Sequence, residues 1–123
     1  MALVHFDLSE FDCKTLPGSG ERMDPDFLNQ LDRARELSGV PWSINSGFRT
    51  KAHNDTLKNA SPNSSHIKGL AVDISARSSA ARFAIVKAAL QVGITRIGIG
   101  KGFVHLDVDP DKPQGVIWHY YPK

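Results

Sequence analysis

The stretch SSHIKGLAVD, Ser64–Asp73, places a histidine, a glycine and a carboxylate beside the start of a strand. Residues 70–75 alternate between larger apolar side chains and small or polar ones, which predicts a strand. Asp73 interrupts this strand, where an unpaired carboxylate would be costly. His66 precedes it by seven residues in a loop, and Gly69 lets the chain between them turn closely. The two side chains can therefore converge on one cation.

A third candidate ligand lies in a second stretch, FVHLDVD, Phe103–Asp109. His105 is flanked there by apolar residues, so we expect it to face the same site from a neighbouring strand. A catalytic zinc needs three His or carboxylate ligands and one open position. The alternative is that His66, Asp73 and His105 are a loop histidine, a hydrogen-bonded carboxylate and a strand histidine. The carboxylate inside the strand favours the metal site.

An amphipathic helix is predicted before these motifs. Asp24 serves as its N-cap, Pro25 occupies its first position, and Gly39 ends it. A second long helix is predicted to begin at Ser78 or Ser79 and to end at Gly93. The pattern predicts an apolar face for this helix that consists of Phe83, Val86, Leu90 and nearby alanines.

The remaining elements are shorter. A short helix is predicted over residues 51–58, and strands are predicted over residues 40–45, 70–75, 94–99, 103–108 and 116–120. Two main helices and short strands that do not strictly alternate are typical of an α+β fold with a small antiparallel sheet. The length of 123 residues predicts a single domain, residues 1–123.

The bulk properties exclude several classes of protein. A net charge of +2 with mixed signs leaves no basic stripe of the kind that nucleic-acid binding requires. No apolar run approaches the roughly 20 residues of a membrane span. Residues 1–6 do not resemble a signal peptide. We expect a monomer that does not insert into membranes.

Together with SGFRT, Ser46–Thr50, the two stretches resemble the superfamily of zinc D-Ala-D-Ala carboxypeptidases and L-Ala-D-Glu endolysin peptidases, in its short single-domain form from phages and bacteria. The family pattern Ser-x-His-x-x-Gly-x-Ala-x-Asp is matched at each of its fixed positions by Ser64, His66, Gly69, Ala71 and Asp73. The resemblance implies the fold of that superfamily and a zinc ion held by His66, Asp73 and His105. It also implies hydrolysis of peptide bonds in peptidoglycan stem peptides, by a D,D- or L,D-carboxypeptidase or by an endopeptidase.

The resemblance also suggests residues that contact substrate. Arg49 has the planar fork suited to a substrate carboxylate or to a developing oxyanion. Ser64 either shapes its loop or hydrogen-bonds the substrate. His119 either lines the cleft or is an ordinary structural histidine.

This sequence departs from the family pattern at the acidic residue that would accept the proton of the attacking water. Many relatives carry an acid three positions before the last zinc histidine, where this sequence has Gly102. Asp107 shares a strand face with His105, so it either takes the proton of the attacking water or orients His105.

Two alternatives to a peptidase follow from this departure. One is a catalytically weak or inactive zinc module that binds cell wall, and the other is a structural phage or cell-wall protein. In either peptidoglycan role, we expect synthesis in the cytoplasm and action at the cell wall after phage-type release or another delivery route.

Overall fold

The computed structural model describes residues 3–58 and 60–121; Met1 and Ala2, part of the segment inspected for a leader, lie outside this description. Two short 3₁₀ helices, Leu8–Phe11 and Ser19–Arg22, precede the main elements. The main elements are α1 (Pro25–Ser38), β1 (Ile44–Ser46), α2 (Lys51–Thr56), β2 (Ala71–Ser75), α3 (Ser79–Gln91), β3 (Arg96–Ile99), β4 (Phe103–Asp107) and β5 (Val116–His119).

The two long helices begin at their predicted N-caps, and α1 ends at its predicted glycine, whereas α3 ends two residues before Gly93 and α2 ends at Thr56 instead of residue 58. The Asp24 carboxylate accepts the backbone N–H of Phe27 at 3.0 Å, and Gly39 ends α1 with a φ of 69°. Ser78 caps α3 by accepting the N–H of Ala81 at 3.0 Å. Among the described residues, no helix combines the length and the apolar character needed to cross a membrane.

The strands form one sheet in the order β1-β2-β4-β3-β5. The predicted α+β class is confirmed, and the sheet is antiparallel except that β5 pairs in parallel with β3. This parallel pair corrects the expectation of a wholly antiparallel sheet. Strands β2 and β3 already pair with the two edges of β4. Strand β5 therefore pairs with the outer edge of β3, and it runs in the same direction as β3.

The two faces of the sheet differ because side chains alternate along each strand. One face contributes fully buried apolar side chains to the core, namely Val72, Ile74, Ile97, Val104 and Leu106. Helix α3 packs against β4, and α1 packs against α3. The opposite face is left for the polar residues of β2 and β4.

The predicted apolar face of α3 is confirmed for Ala88 and Ala89 and is wrong for Phe83 and Leu90. Phe83 is 68% exposed and Leu90 is 52% exposed, whereas Ile85, Ala88 and Ala89 are buried. Small alanine side chains let α1 approach α3 closely, because the distance between packed helices depends on the side chains at the contact. Since α3 is apolar on several sides, its periodicity did not specify which side faces the core.

Candidate active site

A single row of residues crosses the five strands on the polar face of the sheet. The strand register pairs Ser46 with Asp73, Asp73 with His105, His105 with Gly98, and Gly98 with Trp118. Residues that stand opposite each other in a register share a face and come into contact. Backbone pairing alone therefore places Asp73 beside His105, although 32 positions separate them in the chain.

The three predicted metal ligands come together. One potential ligand atom from each of His66, Asp73 and His105 lies within 4.8 Å of the other two. The Nε2 atom of His66 is 3.4 Å from one Asp73 oxygen, and the Nδ1 atom of His105 is 2.9 Å from the other. Both histidines are buried.

The hydrogen bonds of the two rings test whether this cluster suits a metal ion. The Nδ1 atom of His66 lies 2.8 Å from the carbonyl oxygen of Gly47, which can only accept a hydrogen bond. The Nε2 atom of His105 lies 2.7 Å from the carboxylate of Asp107. With a cation bound, each neutral ring would donate on its outer side and offer the lone pair of its inner nitrogen beside Asp73. Two nitrogen lone pairs and a carboxylate fit a cation, and this mixed N/O set fits zinc.

The electrostatics of the cluster also attract positive charge. Burial opposes ionisation of Asp73, but hydrogen bonds from His105 and His66 hold its pKa well below the usual range. Burial lowers the pKa of His105, yet its hydrogen bonds to Asp107 and Asp73 raise that pKa above the ordinary value. Flanking carboxylates favour a positive charge at this point, whether a proton or a metal ion carries it.

Arg49 lies beside the ligand cluster and is held there by polar contacts. Its Nη2 atom is 3.6 Å from Asp73, its Nη1 donates to the Asn54 side-chain oxygen at 3.0 Å, and its Nε donates to Ser46 at 3.3 Å. Burial lowers the pKa of Arg49 and the Asp73 charge opposes this, but an arginine stays charged at physiological pH. Buried Asn54 is fixed in turn by donating to the carbonyl of Ser61 at 2.8 Å.

A cleft of about 400 Å³ opens over the cluster. Part of its lining is polar and basic, from Lys58, Ser61, Ser64, Ser65 and Lys112, and another part is aromatic, from Phe103, Trp118 and Tyr120. The aromatic part contacts the cluster of His66, Asp73 and His105, because the ring centroids of Trp118 and His105 are 5.6 Å apart. The volume is in the range of ligand-binding sites.

The loop that carries His66 is tied to the chain after β4 by a buried carboxylate. Asp109 accepts hydrogen bonds from the Ser65 hydroxyl at 2.8 Å and from Lys68 at 3.0 Å. Burial raises the pKa of Asp109, but these bonds outweigh burial and lower it to about 2. Asp109 therefore stabilises the His66 loop as an ionised group.

Comparisons with known proteins assign the family. The family model described as Peptidase M15 matches residues 4–107. The chain belongs to the peptidase M15 family. The crystal structure of the Serratia marcescens L-Ala D-Glu endopeptidase ChiX has a similar fold, with a TM-score of 0.55 and 24% identity over 72% of this chain and 82% of that chain. No curated protein gives a significant match.

In this M15 peptidase, only one of the two residues Ser64 and His119, both suggested as substrate contacts, lines the cleft. Ser64 lines the cleft, and its hydroxyl accepts the backbone N–H of His66 at 3.2 Å, so it shapes the ligand loop. His119 is exposed and does not line this cleft, because alternation along β5 turns Trp118 to the cleft and His119 to the opposite face. We therefore assign this wall of the cleft to Trp118 and Tyr120 instead.

Asp107 is engaged at both carboxylate oxygens. One contacts His105 Nε2 at 2.7 Å, and the other accepts hydrogen bonds from Arg96 at 2.6 Å and from the Asp109 backbone at 3.1 Å. Asp107 is almost completely buried. This geometry favours the orienting role over the general base. Gly102 offers no carboxylate in its place.

Several site residues were missed by the sequence analysis, and Gly98 is the most informative. A Cβ atom on Gly98 would lie 2.8 Å from Trp118 Nε1 and 2.7 Å from Tyr120 Cε2. The missing side chain therefore makes room for Trp118 to lie against His105. Alternation along β5 could have indicated Trp118, and an isolated glycine inside the predicted strand 94–99 could have indicated a close approach at Gly98, although not the residue that approaches it.

We expect Gly98→Ala to displace Trp118 from His105 and to lower the free energy of unfolding by about 1–3 kcal/mol, the usual cost of overpacking. Loss of the Trp118–His105 nuclear Overhauser contact and urea denaturation measure the two effects. Gly102→Ala is the control, because a Cβ atom there meets nothing within 4 Å. An unchanged contact in Gly98→Ala would contradict this role of Gly98.

We expect Asp109→Asn to lower the free energy of unfolding at pH 7 by about 1–3 kcal/mol, because the variant loses hydrogen bonds to a charged group. The folded pKa of Asp109, about 2, lies below its unfolded value. Its contribution is therefore complete above about pH 4 and is lost as the pH falls through about 2. Denaturation at several pH values checks this. Asp111→Asn, at an exposed partner of Lys68, should cost less than about 1 kcal/mol; equal losses in the two variants would refute the assignment.

Proposed function

We propose that residues 1–123 form one zinc-dependent peptidase domain that hydrolyses peptide bonds in peptidoglycan stem peptides. The observation that carries this proposal is the convergence of His66, Asp73 and His105 under a cleft, in a chain of a peptidase family. The L-Ala D-Glu endopeptidase ChiX, whose fold is similar, supports peptidoglycan as the source of the substrate.

The ion would be held by His66 through Nε2, by the Asp73 carboxylate and by His105 through Nδ1. When bound, zinc supplies a Lewis acid for the scissile carbonyl and lowers the pKa of water to about 7. Gly47 and Asp107 accept the outer ring hydrogens and so keep the two lone pairs directed inward. The chain thus presents a preorganised set of ligands.

Arg49 supplies fixed positive charge next to these ligands. Ser46 and Asn54 hold its Nε and Nη1, which leaves Nη2 nearest to Asp73. In an endopeptidase, this group would stabilise the oxyanion that develops on the scissile carbonyl or bind an internal side-chain carboxylate. In a carboxypeptidase, it would bind the terminal carboxylate of the substrate.

The charge of the cleft favours an anionic peptide. Four basic side chains line it, Arg49, Lys58, Arg96 and Lys112, against the two carboxylates of Asp73 and Asp107. A bound divalent cation would make this surface more positive still. Stem peptides that contain D-Glu carry the matching carboxylates.

A second candidate is a zinc module that binds cell wall with little or no catalysis. It is favoured by one observation, the lack of a free carboxylate at Gly102 or Asp107 to take the proton of water. Both oxygens of Asp107 already have partners. Gly102 itself carries no side chain that could take the proton.

We expect purified protein to release peptides from isolated peptidoglycan, with the products identified by mass spectrometry of the muropeptides. A chelator should abolish the release and added zinc should restore it. His66→Ala should lower the rate by more than about 100-fold, beyond the usual effect of changing a residue that only supports a ligand. His119→Ala is the matched control, because His119 is exposed on the opposite face.

The masses of the products distinguish removal of a terminal D-amino acid from cleavage inside the stem. Full zinc occupancy without any released peptide would reject the peptidase and support the binding module. Peptide release that persists in the chelator and in His66→Ala would reject the metal mechanism.

A further inference from the structure

Arg96 on β3 contacts three separate parts of the site. Its Nε atom donates to Asp107 at 2.6 Å, and its Nη1 donates to the carbonyl of Pro113 at 2.7 Å. Its guanidinium carbon lies 4.8 Å from the ring centroid of Trp118, a cation–π distance. Arg96 is buried, and its hydrogen bond to Asp107 is buried as well.

The carboxylate of Asp107 has little freedom once Arg96 is in place. Its Oδ1 accepts from Arg96 and from the Asp109 backbone, which leaves Oδ2 to face His105 at 2.7 Å. The hydrogen bond at Nε2 of His105 then determines that Nδ1 faces Asp73. Two consecutive hydrogen bonds therefore connect Arg96 to the orientation of a ligand ring.

The register of the sheet and the shape of guanidinium make arginine the suitable residue here. Arg96 stands directly opposite Asp107 in the β3–β4 pairing. Its planar group donates in two directions at once, to the carboxylate and to the Pro113 carbonyl, while its face rests on Trp118. The compact ammonium of a lysine cannot reproduce this set of contacts.

We propose that Arg96 is a positioning residue that fixes His105 through Asp107 and, through Trp118, fixes the aromatic wall of the cleft. This inference rests on the proposed function, because it concerns the same metal ligands. Arg96 thereby couples the geometry of the three proposed ligands to that of the aromatic wall, although it is not itself a ligand.

The first test compares zinc affinity in Arg96→Met and Arg35→Met by competition with a chromophoric chelator. Arg35 makes the same kinds of contact away from the site, donating to the His5 carbonyl at 2.6 Å and lying 4.9 Å from the ring centroid of Phe6. We expect roughly 10- to 100-fold weaker zinc binding in Arg96→Met and less than about threefold change in Arg35→Met. Equal affinities in Arg96→Met and wild type would overturn the inference.

A double-mutant cycle tests whether Arg96 acts through Asp107. If it does, zinc binding in the Arg96→Met, Asp107→Asn double variant should be no weaker than in Asp107→Asn alone. Losses that simply multiply would contradict the proposed connection.

The ring N–H of His105 gives a direct readout in the zinc-loaded protein. In wild type, we expect a slowly exchanging Nε2–H signal in ¹H–¹⁵N spectra, since Asp107 accepts this hydrogen. Exchange should accelerate in Arg96→Met and to a smaller extent in Arg96→Lys, which covers the case in which the Met variant fails to fold. An unchanged signal in a folded Arg96 variant would overturn the inference, whereas a wild-type protein that binds no zinc would instead overturn the proposed function.

Discussion

The antiparallel pairing of β2 with β4 sets Asp73 directly opposite His105, and the rest of the site depends on that register. A slip of one residue would turn Asp73 toward the helices and place Val72 or Ile74 in the cleft. The fully buried apolar residues of the opposite face make such a slip costly, because a slip would expose apolar side chains in the cleft and bury polar ones in the core. The hydrophobic core therefore determines the geometry of the polar face.

Two further sets of contacts position the parts of the site that the strand register does not, namely the His66 loop and the aromatic wall. The Gly47 carbonyl and the Asp109 carboxylate hold the loop of His66, which is not part of the sheet. On the other side, Gly98 leaves a gap in the row that Trp118 fills, and Arg96 packs against the same indole. Hydrogen bonds thus position the proposed metal ligands, and the lack of a side chain at Gly98 makes room for the aromatic wall.

The sequence predicted structure well at positions where the chemistry of one residue type has a single physical explanation. Asp24 before Pro25 predicted the start of a helix, and Asp73 inside an apolar strand predicted a cluster with His66 and His105 that could hold a metal ion. The fold class followed from the order of helices and strands, and the family from the three motifs. Alternation fails where neighbouring strands are unknown: His119 and Trp118 are adjacent, and only the parallel pairing with β3 shows which one faces the cleft. Gly98 and Arg96 act through contacts with residues distant in sequence, which no local pattern records. On α3, the alanines were placed correctly, but Phe83 and Leu90 were wrongly placed toward the core because the helix is apolar on several sides.

Anomalous diffraction at the zinc absorption edge, from crystals grown with zinc, would locate the bound ion. We expect one strong peak contacted by His66 Nε2, Asp73 and His105 Nδ1, with the Nε2 atom of His105 still hydrogen-bonded to Asp107. A crystal without a peak at this cluster, or with the ion bound to other residues, would contradict the proposed metal site.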